Sequence, residues 1–95
     1  MEKFDIMYDN LSGLYFEIEN MMDNVYRELQ TDPTNIDKVN FLQGLGSVAL
    51  KVISSQQLLV ESYSSIEFKD TLLARLDEKT VVLKDALEKD KYKSR

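Results

Sequence analysis

The sequence predicts an all-α fold: an antiparallel helical hairpin followed by a third, C-terminal helix, packed as one small helical bundle in a coiled-coil-like manner. Three observations predict it. Ninety-five residues contain only three glycines and one proline, too few for the turns of a β-rich chain. The first thirty residues carry an unbroken heptad pattern. One strong break, Asp32-Pro33, separates two amphipathic stretches by a short connection. The length suits a single domain over residues 1–95, and the 43% apolar content is too high for a disordered chain.

Helix one is predicted over about 4–30. Phe4, Tyr8, Leu11, Tyr15, Ile18, Met22, Val25 and Leu29 follow at alternating spacings of four and three. A second row, Met7, Leu14 and Met21, stands one position ahead of Tyr8, Tyr15 and Met22. Together they give an apolar face of the width that a helix needs inside a bundle. Tyr8, Tyr15, Met7, Met21 and Met22 are read either as core packing or as anchors for a partner, since tyrosine and methionine serve both. Gly13 interrupts the polar side, so fraying or a bend is expected there, with the firm helix starting near Ser12.

Helix two is predicted over about 33–62. Asp before Pro reads as an N-cap followed by a first helical residue. Leu42, Leu45, Ala49, Val52, Gln56, Leu59 and Tyr63 continue a heptad seam. Phe41, Val48, Leu50, Ile53, Leu58 and Val60 are apolar outside it, and the clean polar row is Asn40, Ser47, Ser54 and Glu61. A helix apolar on most sides must be covered on most sides. Either helices one and three flank it, or part of it receives a partner, and those six residues are the predicted contact surface. Gly44 and Gly46 are read either as a kink or as a place where another backbone comes close. Gln56 on the seam either fixes register or lies at a bundle edge and meets water.

Helix three is predicted over about 65–90, with a capping box at Ser64 and Glu67 and a frayed tail at 91–95. Ile66, Leu73, Leu76, Thr80, Leu83 and Leu87 form its apolar side, and alternating acids and bases form a solvated one. The serines near 62–65 favour a break between helices two and three over one bent rod.

Catalysis is not expected. The chain has no histidine and no cysteine, which removes the commonest general base, thiol nucleophiles, thiolate metal sites and disulfides. No phosphate loop or calcium loop is present, and no cofactor or metal is expected. The net charge of −5 disfavours nucleic acid. It is unevenly spread: residues 1–30 hold seven acids and two bases, whereas residues 39–60 hold Lys51 as their one charge. The N-terminal stretch lacks the pattern of a secretory signal peptide, and no window is apolar enough for a membrane span, so a cytoplasmic location is expected.

The stretch Leu29-Gln30-Thr31-Asp32-Pro33-Thr34-Asn35 between two amphipathic helices resembles the turn of type III secretion needle subunits. Phe41-Leu42 and Val52-Ile53-Ser54-Ser55-Gln56 resemble their second helix in apolar rhythm, so the likeness covers roughly residues 18–62. The chain departs from needle subunits by the charged segment after helix two. That combination is similar to the small helical export chaperones of such systems. The resemblance implies a protein partner, a helical segment of a secreted subunit shielded until export. A self-assembling needle-like subunit and an acidic helical regulator or inhibitor are the alternatives.

Overall fold

The computed structural model describes residues 2–63 and 67–88. It contains three helices in the order α1 (Glu2–Thr31), α2 (Ile36–Ser62) and α3 (Lys69–Glu88), and no strand among the described residues. α1 packs on α2, and α3 packs on α2; no Cα of α1 comes within 8 Å of a Cα of α3. The all-α expectation holds, with the break between α2 and α3 where a bent rod was the alternative.

α1 forms because its heptad seam buries Phe4, Tyr15, Ile18, Met22, Val25 and Leu29 against α2. It runs unbroken through Gly13, contrary to the expected fray, since the seam on both sides of the glycine is held by packing. Three pairs fix the hairpin in register. The rings of Phe4 and Tyr63 stand 5.3 Å apart, Gln56 donates to Ser12 Oγ at 2.8 Å, and Lys38 pairs with Glu28 at 3.1 Å.

The start of α2 differs from the expected one. Asn35, and not Asp32, is the N-cap: its side chain accepts from the Lys38 N–H, and its own backbone is extended. Asp32 braces the turn instead, accepting from the Asn35 side chain at 2.9 Å and from the Asn35 N–H at 3.3 Å. Pro33 therefore sits in the turn and not at the first helical position.

α2 ends at Tyr63, which is extended, and the chain re-enters helix at Lys69 after a turn containing Phe68 at φ 63°. α3 thus starts later than expected. Ser64, Ile66 and the tail at 91–95 lie outside the described residues, and Glu67 lies in the turn. Leu76 and Leu83 are buried against α2, with Leu72, Leu73 and Leu87 packed beside them.

Gly46 shows why one of the two α2 glycines is small. A Cβ there would meet the Leu87 methyl groups at 2.7 and 2.9 Å, so the neighbour that comes close is a side chain of α3 and not a second backbone. A Cβ at Gly44 would meet open space.

Gln56 is the one buried polar residue among those described, and it does not lie at a wet edge as one reading of its position expected. Its Nε2 donates to Ser12 Oγ and, at 3.3 Å, to the Tyr8 carbonyl, while its Oε1 has no partner among the described residues.

Candidate interaction surface

The three helices form a slab of 49 × 21 × 14 Å with a radius of gyration of 15.3 Å. A compact domain of this length has a radius near roughly 12 Å. A slab leaves broad faces open, and the apolar residues on those faces are the candidate site.

On the side facing α3, the Lys79 ammonium stands 4.0 Å over the Tyr15 ring. Tyr15 and Glu19 of α1 line an open groove of about 370 Å³ with Arg75, Lys79, Val82 and Ala86 of α3. Tyr8 lies toward the same side: burial raises its phenol above the ordinary tyrosine value, against the opposing pull of the Arg75 charge and with a smaller upward push from Asp9. The groove is edged by charge of both signs, Glu19 and Glu78 against Arg75 and Lys79.

The opposite side is different. Met7, Leu14 and Met21 each stand one residue, about 100° of helix rotation, before Tyr8, Tyr15 and Met22. Tyr8 and Tyr15 lean toward α3, so the methionine-leucine row lies on the flank of α1 turned away from α3. On α2, Phe41 and Val48 each stand one residue before Leu42 and Ala49, past the line that meets α1. They are turned away from Gly46 and Gln57, the residues that meet α3 through Leu87 and Asp77. The five residues therefore share one face, on both helices of the hairpin. Each is between 43% and 49% exposed, half covered by the hairpin and half open.

The rows are spaced by seven residues on each helix. A straight row at that period matches another helix running nearly parallel to the hairpin. The methionines add side chains that adapt to different surfaces.

The six residues proposed from sequence fall in different places. Phe41 and Val48 belong to this face. Leu58 is exposed on the outer side of α2, between Ser55 and the polar row of Ser54 and Glu61, away from both α1 and α3. Leu50 is half-buried against the core on the α3 side. Ile53 and Val60 are fully buried inside the chain, so they serve α1 and α3 and are not available to a partner. Met7, Leu14 and Met21 were legible as a row, and the sequence left its methionines open between core packing and contact with a partner. The signal that separates them from core is their position one residue off the seam on the side that α3 leaves bare.

No protein-family model, curated protein or solved structure matches this chain. Among the described residues no group of three or more acidic side chains is placed to hold a metal ion, and no helix is long and apolar enough to cross a membrane.

Proposed function

We propose that this chain is a non-enzymatic protein-interaction module whose working surface is the face formed by Met7, Leu14, Met21, Phe41 and Val48. The observation that carries the reading is the pair of heptad-spaced, half-exposed rows on one side of the hairpin. Their open area is on the order of 500 Å², more than single scattered apolar residues give and in the range of functional patches. A surface of that period takes helices, which makes the client a helical segment.

The turn around Asp32 and Pro33, with its likeness to type III needle subunits, supports a narrower form of this reading. In it the chain is a cytoplasmic export chaperone that shields the helix of a secreted subunit. The test is co-expression with a needle-type helical subunit. The parent chain is expected to hold that subunit as a discrete soluble complex, and Val48→Asp is expected to release it while the circular dichroism stays helical. Equal subunit solubility with parent and Val48→Asp chains would overturn the assignment of the face. Polymerisation of the subunit unaffected by the parent would overturn the chaperone form.

A further inference from the structure

We infer that the side of α2 filled by α3 is a second helix-binding site, and that α3 holds it as an internal stand-in for an amphipathic helix of another protein. The inference is independent of the face described above and concerns the opposite side of the hairpin.

α3 itself specifies what this site accepts. Gly46, Ile53 and Val60 follow at seven-residue spacing, so they stand on one side of α2, and all three are buried. Against α2 are set Leu76 and Leu83, also seven residues apart, and Leu87 one turn further. Leu87 uses the room left by Gly46, where a Cβ would meet its methyl groups at 2.7 and 2.9 Å. The polar contacts lie at the rim. Gln57 donates to Asp77 at 2.7 Å, Lys69 donates to the Glu61 carbonyl at 3.2 Å, and the Lys79 ammonium stands 4.0 Å over the Tyr15 ring. The matching partner is therefore a helix with leucines at spacings of seven and four, an acid one residue after the first leucine and a base three residues after it.

The hold of α3 is weaker than that of α1. α1 buries six residues of a single seam, and α3 buries two. α3 brings no Cα within 8 Å of a Cα of α1. The turn leading into it sets Phe68 at φ 63°, disfavoured for a residue with a side chain, while the ring is 70% exposed. A helix from another chain makes the same contacts without that turn. It meets an open site only in the fraction of chains whose own α3 is undocked, and its apparent affinity is lowered by that fraction. Loosening α3 therefore raises affinity for an outside helix.

The test takes the full chain as receptor and a fluorescent peptide of residues 69–88 as probe, read by anisotropy. Leu83→Asp in the chain undocks its own α3 and leaves α2 unchanged, and it is expected to bind the peptide about tenfold tighter than the parent or more. Adding Gly46→Val is expected to weaken that binding about fivefold or more, and a Leu87→Ala peptide to recover most of the loss, because the trimmed side chain makes room for the valine. The chain with Asp77→Ala and Lys79→Ala loses rim contacts alone, so it decides the matter if Leu83→Asp costs the hairpin its helix; it is expected to bind about threefold tighter than the parent. Binding that is absent from the loosened chains, or equal in them and the parent, would overturn the stand-in. A Gly46→Val loss left uncorrected by the Leu87→Ala peptide would overturn the site. A parent that dimerises at the concentrations where the peptide binds, and loses the dimer with Gly46→Val, would make a second copy the occupant and overturn the foreign helix.

Discussion

Gln56 shows the cost of a polar atom in a small core. It donates twice into α1 but leaves its Oε1 unsatisfied among the described residues, at 1% exposure. An unpaired buried carbonyl costs about 1–3 kcal/mol, whereas replacing both partners of a buried bond by apolar groups is nearly neutral. Gln56→Ala is therefore expected to lose about 2–3 kcal/mol in urea unfolding through cavity and lost bonds. Gln56→Leu combined with Ser12→Ala is expected to equal or exceed the parent. A double variant that falls as far as Gln56→Ala would show that the hydrogen bonds outweigh the unsatisfied carbonyl. The glycines divide in the same way. Gly44→Ala meets open space and is expected to gain about 0.5–1 kcal/mol from helix propensity. Gly46→Val drives into Leu87 and is expected to lose about 1–3 kcal/mol by overpacking. Thermal unfolding followed by circular dichroism ranks the two, and a Gly46→Val chain as stable as Gly44→Ala would show that α3 shifts freely.

The helices themselves were legible in sequence because heptad spacing is set by burial, and burial is what holds each element. The seam of α1 is a direct case: six of its eight residues are buried, and Tyr8 and Leu11 pack beside them. The ends were less legible because they are decided by single backbone bonds. Asp32-Pro33 carries a strong helix-start signal, yet Asn35 makes the capping bond, and Asp32 is occupied by holding Asn35 in place. The turn before α3 has no residue that announces a left-handed backbone; Phe68 takes φ 63° there with its side chain exposed. That conformation costs a non-glycine residue about 1 kcal/mol or more. Phe68→Gly is expected to raise the midpoint of thermal unfolding by a few degrees, and a fall would mean that the ring is held by a contact worth more than the strain. The face was half legible for a related reason. Apolar periodicity marks which residues want cover but not which neighbour gives it, so Ile53 and Val60 were grouped with Phe41 and Val48 although α1 and α3 cover the first pair alone.

At the scale of the whole molecule, stability is tied to pH through Tyr8. Burial raises its phenol above the ordinary value, so the folded chain holds this proton more tightly than the unfolded chain. The contribution is fully present below the unfolded tyrosine value and is lost as pH rises above about 10 and through the folded value. Tyr8→Phe is expected to flatten that alkaline decline in urea midpoints, and an unchanged slope would assign it to other groups.

The arrangement of α3 has a consequence in time. It packs on α2 alone and touches α1 through long side chains such as Lys79 over Tyr15. It can lift away without opening the hairpin, whose own seam and register pairs remain closed. Amide protons of 72–88 are therefore expected to trade for deuterium earlier than those at the centres of α1 and α2, with a lag between the two sets that lengthens as the hairpin is stabilised. Such a chain does not come apart at one moment: it loses its outer helix first and keeps a two-helix clock running behind it.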